Sequence, residues 1–138
     1  MPNKTPPPTE FDRWLLGGTG EEHSIVYKLY EWYKLVHSDV IRYPKTERHA
    51  VGEILKTGTL EMMRSVWEAN SLPLPERLAL LDRTQRTLDL MKIHVRLVYD
   101  LGIHTQDGYK YRQERLQEIG KMLGTWRNNT RKKLGLSP

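Results

Sequence analysis

The sequence contains no cysteine, a single phenylalanine and no long run of apolar residues. Without cysteine the chain forms no disulfide, no thiolate metal site and no cysteine nucleophile. Its longest apolar runs extend over a few residues, far short of the ~20 that a membrane-spanning helix needs. The start of the chain carries Lys4 but no apolar segment typical of a signal peptide. We therefore expect a cytoplasmic protein without a membrane partner.

Charge, in contrast, is plentiful and unevenly placed. Charged residues make up 28% of the 138 residues and hydrophobic residues 38%, which is typical of a globular domain rather than a disordered chain. The formal net charge is +5. From Lys110 to Pro138 there are eight basic and two acidic residues, whereas the first 109 residues hold 14 basic and 15 acidic ones. The surplus therefore lies in the last segment, where it suits nucleic acid, an anionic membrane or an acidic protein.

We divide the chain into a proline-rich leader, a helical domain and a short tail, at residues 1–19, 20–134 and 135–138. Four prolines among the first eight residues prevent a helix at the start of the leader. The leader also contains an apolar patch, Phe11–Leu16, which is followed by Gly17 and Gly18. This patch is either a segment docked onto the fold, a fusion or cloning remnant, or a peptide that engages a partner or a neighbouring subunit.

Apolar residues recur at helical spacings of three and four in four successive segments. The first helix is predicted from Thr19 or Gly20, where Thr19 and Glu22 fit a capping box, to Tyr43, which precedes a proline. The second helix is predicted from Pro44 or Thr46 to Ala69. The other two are predicted over 75–100 and 105–134, with Gly102 and Gly135 ending them. Four such helices joined by short loops predict an all-α, antiparallel up-down-up-down four-helix bundle.

Two of the predicted helices have features that bear on their packing. Gly52 and Gly58 lie inside the second helix, where each costs about 1 kcal/mol against alanine, so we interpret them as close contacts with a neighbouring helix. The inner face of this helix is predicted to consist of Val51, Ile54, Leu55, Met62, Val66 and Ala69. The third helix has an apolar stripe wide enough to contact neighbours on more than one side. The residues that widen it are Leu80, Leu90, Ile93, Leu97 and Leu101.

No motif in the sequence predicts catalysis or a bound cofactor. A four-helix bundle can hold two metal ions through Glu-x-x-His motifs, but none of the five histidines has a carboxylate three residues before it. We interpret His94 as a histidine at the edge of the core. No dinucleotide loop, phosphate-binding loop or nucleophile elbow is present. We therefore expect no enzyme, no metal, no cofactor and no small-molecule substrate.

Basic residues of the last two predicted helices are the remaining functional candidates. Arg112, Arg115 and the Lys132-Lys133 end fall mostly off the apolar stripe of the last helix, so we expect them to be solvated. Such cations can neutralise phosphates without reading sequence, although an ordinary charged helix face has the same pattern. The candidate nucleic-acid contacts are Arg83, Arg86, Arg112, Arg115, Lys121, Arg127, Arg131, Lys132 and Lys133.

Three stretches of the sequence resemble a known family. They are Tyr43–Arg48, Leu97–Leu101 and Glu118–Trp126, and the last combines helix-interior glycines four residues apart with a tryptophan before a basic end. The pattern covers residues 20–134 and resembles the accessory variability determinant (Avd) proteins of diversity-generating retroelements. A more distant similarity is to the four-helix proteins encoded in ribosomal RNA intervening sequences.

The resemblance implies a four-helix bundle that assembles into a positively charged homopentameric ring and is not itself an enzyme. It also implies binding to the retroelement's reverse transcriptase and template RNA, with cDNA or other DNA as a further nucleic acid, in support of mutagenic cDNA synthesis. The alternative is a protein-interaction scaffold of the same fold without direct nucleic-acid binding.

The residues of the family pattern suggest specific packing roles. Gly120 and Gly124 form a smooth row on the last helix, along which another helix can approach closely. We expect Trp126 to pack beside this row, in the bundle or between subunits. Arg96, which directly precedes the second stretch, is expected to pair with a carboxylate of a neighbouring helix, with Glu47 as the candidate.

Overall fold

The computed structural model describes residues 21–136, with side chains from residue 24 onward. These residues contain helices and no strand, as the sequence predicted. The leader, the predicted Thr19–Glu22 capping box and the last two residues of the tail lie outside the described residues. Four long helices and one short one follow in order: α1 (Glu21–Ile41), α2 (Lys45–Arg48), α3 (Val51–Ala69), α4 (Leu74–Asp100) and α5 (Gln106–Lys133).

Helix ends follow from local chemistry. The Thr105 hydroxyl accepts a hydrogen bond from the backbone N–H of Gly108 at 3.1 Å and so caps α5. After α4 and α5 the chain turns at Gly102 (φ 78°) and Gly135 (φ 76°), in the left-handed region that glycine tolerates best. Both glycines therefore end their helices as predicted.

The four long helices pack around one hydrophobic core. α1 packs against α3, α3 against α4, and α4 against α5, while the α1–α5 seam is the most sparsely packed of the four. Each long helix contributes a fully buried leucine, and burying such a side chain stabilises the fold by about 1.5–3 kcal/mol. These leucines are Leu29, Leu55, Leu88 and Leu123.

Polar groups inside the core find partners within it. The indole N–H of Trp32 on α1 donates to the sulfur of Met91 on α4 at 3.1 Å. The buried hydroxyls of Thr59, Thr84 and Thr130 each donate to the carbonyl oxygen four residues earlier, at 2.8 Å. The core thus avoids the cost of burying unsatisfied hydrogen-bonding groups.

The second helix predicted over 44–69 is interrupted. α2 ends at Arg48 and α3 begins at Val51, with a turn between them. The break lies at Ala50, whose backbone angles (φ −116°, ψ −99°) are not helical. Two residues further on, at Gly52, a Cβ atom would stand 2.9 Å from Cγ1 of Val40 and 3.2 Å from the carbonyl oxygen of Glu47. The chain turns here to bring α3 directly against the end of α1. Gly52 therefore marks a close helix contact, as expected.

The apolar stripes predicted for α3 and α4 are only partly buried. Ile54, predicted on the inner face of α3, is exposed, which corrects that prediction. Of the residues that widen the stripe of α4, Leu80 is buried. The other four recur at spacings of three and four on the outward side of α4, and we call them the α4 strip: Leu90, Ile93, Leu97 and Leu101.

Candidate nucleic-acid interface

The outward side of α5 carries three lysines in line. Lys110, Lys121 and Lys132 are eleven residues apart, which rotates a helix by only about 20° beyond three full turns. All three are exposed, and they take part in none of the ion pairs among the described residues. Lys133 is exposed at the end of the same helix, and Arg131 is half-buried. We call Lys110, Lys121 and Lys132 the α5 lysine line.

Two further cations lie on the neighbouring helix. Arg83 and Arg86 are exposed on α4, seven residues before Leu90 and Ile93 respectively, so they share the outward side that carries the α4 strip. Because α4 packs against α5, cations of both helices can contribute to one basic surface. The outward side of α4 thus carries two exposed arginines in its first half and the α4 strip in its second, where the strip lies beside the exposed Arg96–Asp100 pair.

Arg112 is not solvated, and this part of the sequence prediction is wrong. Its guanidinium donates two hydrogen bonds, both 2.7 Å long, to the two carboxylate oxygens of Asp39 on α1. The side chains are only 15% and 11% exposed. These bonds raise the pKa of Arg112 above its ordinary value, against the opposing effect of burial. Arg112 therefore serves to join α5 to α1.

Two more titratable side chains surround this pair. His104 lies with Nε2 3.7 Å from Oδ2 of Asp39, and its ring meets that of Tyr43 edge-on at 6.0 Å. Burial lowers the pKa of His104, nearby Arg112 lowers it further, and Asp39 opposes both. Burial and then Asp39 raise the pKa of Tyr43. The lowered pKa therefore favours the neutral form of His104 beside the charged pair.

Arg127 is likewise used inside the fold. Its guanidinium donates to Oδ1 of Asp82 at 2.7 and 2.9 Å, which joins the end of α5 to the beginning of α4. The two side chains are 27% and 31% exposed, so the pair is partly screened by solvent. Arg127 thus has a carboxylate partner that a phosphate would have to displace.

Arg115 faces a groove between α1 and α5. Its guanidinium stacks over the ring of Tyr111 at 4.5 Å, and its Nε atom is buried without a hydrogen-bond partner among the described residues. The groove has a volume of about 690 Å³ and follows the sparsely packed seam. Across the groove, Lys28 on α1 forms a salt bridge of 2.7 Å with Glu118 on α5, and this bond lowers the pKa of Glu118. We call this feature the α1–α5 groove.

The packing roles predicted for Arg96, for Trp126 and for the two glycines of α5 have different outcomes. Arg96 pairs with Asp100 of its own helix at 2.9 Å, so the expected partner Glu47 is wrong. A Cβ at Gly120 would meet Cδ2 of Leu88 at 3.4 Å, whereas one at Gly124 would meet no described atom within 4 Å. Trp126 is buried in the core. Among the described residues, Gly120 thus faces another helix and Gly124 does not.

Sequence reasoning missed the carboxylates that hold the arginines. Asp39 and Asp82 lie 73 and 45 residues from their partners, and no local spacing connects them. One signal was available for Arg112, because it precedes Leu116 by four residues and therefore lies on the apolar stripe of α5.

The described residues offer little for metal chemistry or membrane insertion. Among residues 24–136 no three histidine, aspartate or glutamate side chains are grouped as metal ligands would be. None of the helices in this part of the chain has the length and apolar character needed to cross a membrane. The most distinctive feature of the described surface is therefore its set of exposed cations on α4 and α5.

Over residues 21–136, fold and surface together define an all-helical region of four long helices and one short one, with a basic last helix. Residues 24–130 match the bAvd-like family, so most of the helical region is covered and the chain belongs to that family. Membership indicates an accessory protein of diversity-generating retroelements, from a non-catalytic family associated with retroelement machinery. The resemblance stated from the sequence to the Avd proteins is confirmed. No curated protein and no solved structure matches the chain.

Replacing Arg112 with Met should destabilise the protein by about 3–5 kcal/mol, because Asp39 would remain as a buried charge without its partner. Chemical denaturation monitored by circular dichroism measures this loss. Arg83→Met is the control: it removes the same charge from an exposed site and should change the unfolding free energy by less than about 0.5 kcal/mol. Equal effects of the two changes would contradict the structural role of Arg112.

Stability should fall as the pH drops below about 6.5, the ordinary pKa of histidine. The folded pKa of His104 is lowered, so below that pH the unfolded chain binds a proton that the folded chain does not. Urea unfolding of wild type and His104→Gln at pH 7.5 and 5.5 measures this effect. The substitution should flatten the loss, whereas His49→Gln, in the exposed turn before α3, should retain it. Parallel pH profiles for all three proteins would disprove this role.

Proposed function

We propose that the protein is a non-catalytic accessory subunit that binds the reverse transcriptase and template RNA of a diversity-generating retroelement and supports mutagenic cDNA synthesis. Family membership supports the retroelement assignment. The observation that carries the RNA assignment is the α5 lysine line, whose three cations are exposed and outside the described ion pairs. Arrayed cations of this kind bind phosphates by releasing counterions, without reading sequence.

The phosphate contacts belong to the exposed cations rather than to every basic residue. We assign them to Arg83, Arg86, Lys121, Lys132 and Lys133, and we add Lys110. Arg112 is left out because its donors already bind Asp39 in a buried pair. Arg127 is left out for the same reason, since releasing it would leave Asp82 without its cation.

We also propose that residues 20–134 form one bundle whose helices run alternately up and down. The Asp39–Arg112 pair joins the end of α1 to the beginning of α5. The Asp82–Arg127 pair joins the beginning of α4 to the end of α5. A contact between the end of one helix and the beginning of another supports an antiparallel arrangement, here of α5 with both α1 and α4.

A homopentamer, with the α4 strip in its interface, completes the proposal. Exposed apolar surface in line on one helix is expensive in water and is typical of a protein-interaction site. The strip also favours the second candidate function, a protein-interaction scaffold that grips a partner protein without nucleic acid. RNA binding by the isolated protein distinguishes the two.

Changing Lys121, Lys132 and Lys133 to Ala together should weaken binding to a labelled mixed-sequence single-stranded RNA. Each lost phosphate contact should reduce the slope of log affinity against log salt by about 0.7–1. Fluorescence anisotropy over a salt series measures both quantities, and single-stranded DNA of the same sequence shows whether DNA competes.

The matched control removes the same charge from exposed positions elsewhere, by changing Arg42, Lys45 and Arg64 to Ala. We expect this variant to keep the wild-type salt slope. Equal slopes for all three proteins would reject the assigned contacts, and no RNA binding by the wild type would favour the scaffold.

Replacing Ile93 and Leu97 with Glu should break the assembly, because it places charge in an interface that must exclude water. Light scattering should give the wild type about 82 kDa, five chains of 16.3 kDa, and the variant one chain. Ile54→Glu on α3 is the control and should leave the mass unchanged. A monomeric wild type would refute the pentamer, and dissociation of the control as well would refute the specific role of the strip.

A further inference from the structure

The α1–α5 groove has the surface of a peptide site rather than of an anion site. Its lining is mixed: the floor includes the apolar side chains of Trp32, Leu35 and Ile119, and polar and charged side chains surround them. The rim carries charges of both signs, with Lys28 paired with Glu118 at 2.7 Å and Lys34 with Glu31 at 3.3 Å. Paired charges of this kind attract phosphate poorly, whereas a lining of apolar and charged side chains suits a segment of chain that contains both.

Two buried polar atoms at the groove lack hydrogen-bond partners among the described residues. One is Oε1 of Glu31, an acceptor on α1, and the other is Nε of Arg115, a donor on α5. Buried polar atoms in folded proteins are nearly always paired. An occupant that supplies one donor and one acceptor would therefore complete the site.

The chain itself contains a segment of this chemistry. Phe11–Leu16 reads Phe-Asp-Arg-Trp-Leu-Leu, with four apolar residues around one acid and one base. Arg13 supplies donors for Glu31, and Asp12 supplies acceptors for Arg115. The apolar residues match the floor of the groove.

The linker between this segment and α1 is long enough for the segment to reach the groove, and the segment is about as long as the groove. The groove follows α1 from Tyr27 to Ser38, a rise of about 16 Å, and begins about 9 Å beyond the start of α1 at Glu21. Four residues separate Leu16 from Glu21, which makes five Cα–Cα steps and an extended reach of about 17 Å. Phe11–Leu16 itself spans about 17 Å when extended, so it can cover the whole groove. Gly17, Gly18 and Gly20 favour the reversal of direction that this requires.

We infer that Phe11–Leu16 of the same chain docks in the α1–α5 groove, antiparallel to α1, with Arg13 toward Glu31 and Asp12 toward Arg115. The docked segment fills the sparsely packed seam and covers Arg115. Arg115 is therefore a partner of the leader and not a phosphate contact. This inference stands apart from the proposed function, because an intrachain contact neither requires RNA nor excludes it.

Crosslinking in the full-length chain tests the inference, since the absence of natural cysteine leaves engineered cysteines as the only thiols. Glu10→Cys is combined with Ser38→Cys, an exposed position at the far end of the groove. The control combines Glu10→Cys with Thr57→Cys, exposed on α3. With a short bismaleimide, the Ser38 pair should form an intrachain crosslink at least tenfold faster than the Thr57 pair, as read by mass spectrometry and denaturing gels.

Equal rates for the two pairs would overturn the docking, and a crosslink between chains would assign the groove to a neighbouring subunit's leader and overturn the intrachain form.

A charge exchange tests the chemistry in the background that carries Glu10→Cys and Ser38→Cys. Arg115→Asp alone should slow the intrachain crosslink at least threefold, and Arg115→Asp with Asp12→Arg should restore the rate. Failure of the double change to restore it would reject the assigned pairing. RNA binding enters none of these readouts, so they are independent of the proposed function.

Discussion

The buried pair of Asp39 and Arg112 is the interaction on which the arrangement of this protein depends. It joins the first helix to the last across the seam where the four helices pack most sparsely. The other three seams are more closely packed, whereas at this one a buried charged pair supplements sparse packing. A buried pair adds little to stability over an apolar one, yet it penalises any register that separates the two charges. The pair therefore fixes one register between α1 and α5. Beyond the pair, the seam remains open as the α1–α5 groove.

This constraint also decides what the basic last helix can do. The segment from Lys110 to Pro138 carries a net +6, but Arg112 and Arg127 are committed to carboxylates on other helices. Each of these two arginines neutralises an aspartate within the fold. The electrostatic potential at the surface of α5 is therefore set by the lysines that face away from the core. A surface of lysines on one helix is a point-charge array suited to a phosphate backbone rather than to bidentate recognition of one group.

Sequence periodicity predicted the long helices because each of them buries a stripe at helical spacing, and it predicted Gly102 and Gly135 because a helix end is a local event. Sequence periodicity failed where a structural feature depends on a residue far away along the chain. At the turn before Val51, Gly52 lies so close to α1 that a Cβ atom there would stand 2.9 Å from Cγ1 of Val40, and local spacing does not show this closeness between two helices. Arg112 lies on an apolar stripe, which predicts burial, but only the fold supplies the aspartate 73 residues away that makes burial tolerable.

The apolar residues on both sides of α4 bear on how the protein assembles with other chains. A helix that buries Leu88 and still presents Ile93 outward at 63% exposure has more apolar surface than its own fold uses. The same outward side begins with Arg83 and Arg86, whereas in its apolar half the exposed charges of Arg96 and Asp100 are paired with each other. If the apolar half is covered by another protein chain, the surface removed from water is mainly that of leucine and isoleucine, whose burial is favourable, and Arg83 and Arg86 stay in water. Assembly and phosphate binding can therefore occupy one helix face together, because neither requires the other's residues to be buried.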